Sequence, residues 1–249
     1  LQDTNRLKEA EALMRRALEV DEGSHGPEHP DVARDLSNLA NLLHITNRLQ
    51  EAEPLIRRAL EIDAQSFGPE HPNVAISLNN LAMLLKDINR VQEAERLIRW
   101  ALAIDERCFG SEHPTVAISL NNLAHLLQAT NRLTEAEPLM RRALAIDERS
   151  YGPEHPAVAR DLNNLVNLLC ITNRLPEAES LSRRLVALLL HCTRRTGHPH
   201  LQLDAALANY ETILKHRGRS EAEIEADIRA LQEQEVERDR AKEREAASH

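Results

Sequence analysis

Three sets of residues in this sequence have the type and spacing to do chemistry. The densest is His191, Cys192, His198 and His200, imidazoles and a thiol at intervals that suit a zinc ion. No second cysteine completes the pattern, and His198 belongs to a His-Pro step that recurs along the chain. The second set is that recurrence itself: His29, His71, His113 and His155, spaced by 42 residues. Such spacing is too wide for one ion, so these histidines read as packing at helix starts, and neither a metal nor a cofactor is expected. The third set is made of amides. "DLSNLANLL", "SLNNLAMLL", "SLNNLAHLL" and "DLNNLVNLL" begin at Asp35, Ser77, Ser119 and Asp161. Each places asparagine, a poor helix former, at the centre of a helical pattern.

Catalysis finds no foothold. There is no glycine-rich phosphate loop, nucleophile elbow or paired metal motif, and the acidic residues of "EAEPL" and "AIDER" recur as solvated helix faces, with no pair set apart as acid and base. The chain reads as a non-enzyme.

The elements that carry these residues follow from composition and period. Of 249 residues, 42% are apolar, 2% aromatic and 29% charged, with 7 glycines and 11 prolines. That mixture implies an all-α protein with a core of Leu, Ala, Ile and Val. The net charge of −9 opposes non-specific binding to nucleic acid or an anionic membrane. The longest apolar run, Leu185 to Leu190, is far short of the ~20 residues a membrane span needs. Cys108, Cys170 and Cys192, odd in number and without CxxC spacing, suit a reducing, cytoplasmic setting.

Asn-Arg recurs at Asn5, Asn47, Asn89, Asn131 and Asn173, again every 42 residues. Segments 73–114 and 115–156 are identical at 29 of their 42 positions. Each unit holds two helices. Helix A opens at a proline (Pro114), turns Ala117, Leu120, Leu123, Ala124 and Leu127 inward, and ends near Asn131. Helix B turns Leu133, Ala136, Leu139, Met140, Ala143, Leu144 and Ile146 inward and stops at Gly152. Such pairs must stack on their neighbours, which implies a right-handed α-solenoid with a concave face. The boundaries expected are 1–25 for the second helix of a truncated repeat and 26–193 for four complete repeats. Residues 194–249 make a degenerate last repeat and a polar capping helix, which faces water beyond Val236. Leu1 falls in mid-helix, so further chain is expected before it.

"GPEHPNVAISLNNLAMLL" followed by "EAEPLIRRALEID" resembles the tetratricopeptide repeat in its 42-residue form, found in kinesin light chains and in many bacterial scaffold and signalling proteins. A bacterial source is expected. The resemblance covers about residues 1–217 and implies a protein-binding scaffold. Two other readings stay open: a sensor array regulating an N-terminal effector domain absent from this chain, and a kinesin light chain-like cargo adaptor.

In that family the second stripe of helix A lines the concave groove. Here the stripe is Arg34, Ser37, Asn38, Asn41 and His44, then Ile76, Asn79, Asn80, Met83 and Lys86. It continues as Ile118, Asn121, Asn122, His125 and Gln128, and as Arg160, Asn163, Asn164, Asn167 and Cys170. An amide offers donor and acceptor together, and so can hold a peptide backbone whatever its side chains. The alternative is an asparagine ladder between adjacent A helices. Arg34, Lys86 and Arg160, with His44 and His125, suggest a groove more basic than the rest of the chain, and hence an acidic protein or peptide partner. Trp100 stands where the other repeats have arginine and reads as an outer-surface residue.

Overall fold

The 42-residue period becomes two helices of fixed length. The A helices are α2 (Pro30–Ile45), α4 (Pro72–Asp87), α6 (Pro114–Ala129) and α8 (Pro156–Ile171); the B helices are α3 (Leu49–Phe67), α5 (Val91–Phe109), α7 (Leu133–Tyr151) and α9 (Leu175–Thr196). Before them lies α1 (Gln2–His25), and after them α10 (Leu203–His216) and α11 (Glu221–Ala247). This computed structural model describes residues 2–198 and 200–247, and among these there are eleven helices and no strand. Leu1 and the side chains expected to form the water-facing tail, from residue 238 on, lie outside the described residues.

Each A helix starts the same way. Proline at the first helical position loses no bond, and the histidine before it is the N-cap. The Nδ1 of His29, His71, His113 and His155 accepts the backbone N–H two residues on, at 3.2 Å in every case. A stacked ring four residues upstream holds each imidazole in place: Phe67 on His71, Phe109 on His113 and Tyr151 on His155, with centroids 4.3–4.7 Å apart. Three of the chain's few aromatic residues are used in this way.

The Asn-Arg step explains the other end. Helix α6 stops at Ala129, two residues short of Asn131, because Asn131 adopts a left-handed conformation with φ 59°; Asn47, Asn89 and Asn173 do the same. Asparagine tolerates that region better than most side chains. The arginine that follows ties repeats together. Arg48 reaches Glu51 at 2.6 Å and Glu11 at 2.7 Å, while Arg174 reaches Glu177 and Glu137, each at 2.6 Å. Between B and A helices the chain turns at Gly68 with φ 88° and ψ 156°, a region open essentially to glycine alone. A Cβ there would meet nothing within 4 Å, so backbone conformation and not crowding calls for glycine.

Two compact units make up the chain, Leu1–Asn131 and Arg132–His249. In the first, α1 to α6 each pack on the next, and the A helices α2, α4 and α6 also touch in sequence. Val32, Ala33 and Leu36 close on Ala59 and Ile62, and Val74, Ala75 and Leu78 on Ala101 and Ile104. In the second, α7, α8, α9 and α10 pack in order, with α11 against α9 and α10. Val166 and Leu169 meet Ala178 and Ile213 there. Small alanines at these crossings let the helices approach closely. Each large buried aliphatic side chain contributes about 1.5–3 kcal/mol.

Candidate ligand-binding groove

With one helix face committed to the core, the second stripe of α2 and α4 is left to line a groove of about 640 Å³. Arg34, Asn38 and Asn41 come from α2 and Asn80 from α4. Asn38, Asn41 and Asn80 have no hydrogen-bond partner among the described residues, so their amides face the groove uncommitted. The groove also takes in Ile76 of the stripe, and Asp31, Asp63, Phe67 and Asn73, which the stripe read from the sequence does not contain. Ile76, though counted in the stripe, is 55% exposed and supplies an apolar wall with Phe67. Its repetition as Ile118, flanked by arginine at the matching positions 34 and 160, was the available signal.

Other members of the stripe are spent on structure. Asn79 donates to Ser119 Oγ at 2.8 Å and accepts from Asn122 Nδ2 at 3.2 Å, and Ser119 in turn donates to buried Asp105 at 2.6 Å. Ser77 makes the same bond to Asp63 at 2.6 Å. Burial pushes both aspartates above the ordinary carboxylate range, with the serine bonds opposing it. Asn121 and Asn164 are buried, at 4% and 8% exposure, and each has a partner. His125 is half-buried and also partnered.

The cations on the stripe are matched by carboxylates. Arg34 lies 2.6 Å from Asp31 and 3.5 Å from Asp21. Lys86 lies 3.3 Å from Asp87, which also bonds His44 at 2.6 Å. Burial raises Asp87, yet the bonds from His44 and Lys86 leave it below its usual range. Arg160 holds two buried aspartates, Asp147 at 2.9 Å and Asp161 at 3.0 Å. Burial first, then the charge of Asp161, pushes Asp147 up to about 6. The expectation of a basic groove from Arg34, Lys86, Arg160, His44 and His125 left out these carboxylates: Asp87 and Asp161 are next in sequence to Lys86 and Arg160, Asp31 lies one turn before Arg34, and Asp21 and Asp147 lie on other helices.

In the second unit, Asn167 on α8 shares a smaller recess of about 480 Å³ with Cys170 and with Asn209, Thr212 and His216 of α10. Asn163, one turn earlier on α8, is half-buried and does not line that recess. Shifting the 42-residue period by three residues puts Asn209 in register with Asn164; reading the sequence in that phase would have found it. His191, Cys192, His198 and His200 do not converge on a metal-ligand geometry. His191 instead bonds Glu154 at 3.0 Å. Trp100 is 44% exposed on α5.

The profile of the tetratricopeptide repeat matches residues 1–65, 36–107 and 115–191. The chain belongs to the tetratricopeptide repeat family. Among solved structures, a Podosopora anserina protein described as a kinesin light chain with nearly identical TPR-like repeats is 26% identical. The match covers 82% of this chain and 96% of that one, with a TM-score of 0.67. BtubC (BKLC) from P. vanneervenii is 24% identical over 97% of this chain and 92% of that one, with a TM-score of 0.70, a likeness of fold. Among curated proteins no significant match is found. The fold is thus the all-α tetratricopeptide solenoid, of the kinesin light chain-like kind, and such repeats serve as scaffolds for protein–protein interaction. No described helix is long and apolar enough to cross a membrane.

Proposed function

We propose that this protein is a non-catalytic scaffold that holds an extended segment of a partner protein on the A-helix face. The segment lies in the groove between α2 and α4. The observation that carries the reading is the set of three uncommitted amides, Asn38, Asn41 and Asn80, around one groove. Each can take a backbone N–H or C=O of the ligand. Neighbouring A helices stand ~8–10 Å apart and an extended strand advances ~3.3 Å per residue, so the amides of one helix meet about every third ligand residue.

Phe67 and Ile76 favour a ligand with an apolar side chain at one of those positions. An acidic ligand would have to compete with Asp31 for Arg34, so an uncharged segment suits this lining better than the acidic one expected from sequence. The reading keeps the division of the chain into a partial repeat (1–25), four repeats (26–193) and a degenerate capping repeat (194–249), and a cytoplasmic setting.

Panning a random peptide library on the intact chain tests this. Selected peptides should lose binding to the Ile76→Asp variant, which puts a charge on the apolar wall. Peptides that bind that variant as well as the parent would show that the groove is not the site.

A further inference from the structure

The turn joining α1 to α2 differs from its later copies at two positions. Where later copies stack Phe67, Phe109 or Tyr151 on the N-cap histidine, this turn has His25; where they have Asn73, Thr115 or Ala157, it has Asp31. Both departures replace a residue without strong affinity for metal by a metal ligand, and the two flank His29. His25 stacks on His29 with centroids 4.7 Å apart. One ligand atom from each of His25, His29 and Asp31 lies within 4.8 Å of the other two. We propose that these three residues form a binding site for a zinc-class transition-metal ion.

Two imidazoles and a carboxylate are a donor set that zinc accepts, with water completing the shell. Tetrahedral zinc holds its ligand atoms about 3.3 Å apart. His29 Nδ1 and Asp31 Oδ2 already stand 3.3 Å apart. His25 must close the remaining gap, and its side chain, 45% exposed, has room to rotate. Asp21 lies 3.9 Å from His25 Nδ1, where it adds negative charge beside the site. Arg34 takes the other oxygen of Asp31, at 2.6 Å, and leaves Oδ2 facing His29.

Coordination has a cost. The Nδ1 lone pair of His29 now accepts the N–H of Asp31 at 3.2 Å, and zinc would replace that long cap bond. The site should therefore bind more weakly than a closed four-ligand structural site, and reversibly.

The later repeats supply test variants already suited to the fold. His25→Phe and Asp31→Asn copy the second repeat, and His29→Asn removes the imidazole while keeping an N-cap acceptor. Zinc titration by calorimetry on the untagged chain should give one site. Each variant should weaken it by about tenfold or more, with helical content and melting in the absence of metal unchanged for His25→Phe and Asp31→Asn. Magnesium, which prefers oxygen ligands, should not compete. No zinc uptake by the parent chain, or equal affinity in the variants, would overturn the proposal.

Discussion

Asn122 donates through Nδ2 to Oδ1 of Asn79, 3.2 Å away on the neighbouring A helix. That bond divides the asparagine stripe into two kinds of residue. Asn79 is held from both sides, by Asn122 and Ser119, whereas Asn80 beside it lines the groove without a partner. Asn122 occupies the position of Asn80 one repeat on, so the same position is a ladder rung in one repeat and lines the groove in another.

Replacing each with alanine should separate them. Asn79→Ala loses two hydrogen bonds and strands the Asn122 amide, so it should destabilise by about 1 kcal/mol after the gain in helix propensity. Asn80→Ala loses none and should be neutral or stabilising by about 0.5 kcal/mol. Urea unfolding of the two variants checks the order; equal losses would mean that both residues are structural.

The second test uses a swap that the chain has already made. Two central repeats carry Ile76–Ser77 and Ile118–Ser119, and the repeats on either side carry Arg34–Asp35 and Arg160–Asp161. Arg160→Ile alone leaves Asp147 and Asp161 facing each other and should cost about 2 kcal/mol or more. Adding Asp161→Ser recreates the Ser119–Asp105 arrangement and should recover most of the loss. A double variant as unstable as the single one would show that the two positions are not coupled.

The same aspartate pair sets a pH dependence. Asp147 in the folded chain, at about 6, lies above its ordinary 3.8 because of burial and the charge of Asp161. A raised carboxylate favours folding fully below its unfolded value, and that contribution is lost as pH rises through the folded value. Relative to Asp147→Asn, the parent chain should therefore lose stability between pH 4 and 6. Thermal melts across that window check the sign, and a difference that does not change with pH contradicts it.

Helix pairs and core stripes were legible because each depends on residues close in sequence: prolines at helix starts, glycines at turns, leucines at helical spacing. The site was legible only in part. Asn38, Asn41 and Asn80 follow from helical spacing, but Asp63 and Phe67 enter the same groove from a B helix, and no single-helix pattern includes them. Pairing of Arg160 with Asp147 is likewise tertiary. The Asn-Arg step was visible as a repeat, but its cause, a left-handed turn residue, needed backbone angles.

That cause predicts a substitution pattern at Asn89, whose φ is 63°. Asn89→Ala should destabilise by about 1 kcal/mol, because an ordinary side chain is strained in this region. Asn89→Gly should be tolerated, as at the turn that follows α10, where Gly218 has φ 80°. Paired melting curves distinguish this from a role for the asparagine side chain, which would make both variants equally unstable.

If the free amides of α2 and α4 hold a partner's backbone, titration with one library-selected peptide should tell the parent chain from a variant without them. The triple variant Asn38→Ala, Asn41→Ala, Asn80→Ala should bind about tenfold or more weakly than the parent chain, as the loss of three hydrogen bonds requires. Its melting temperature should be unchanged or slightly higher. Unchanged affinity in a fully folded triple variant would mean that these amides do not hold the ligand.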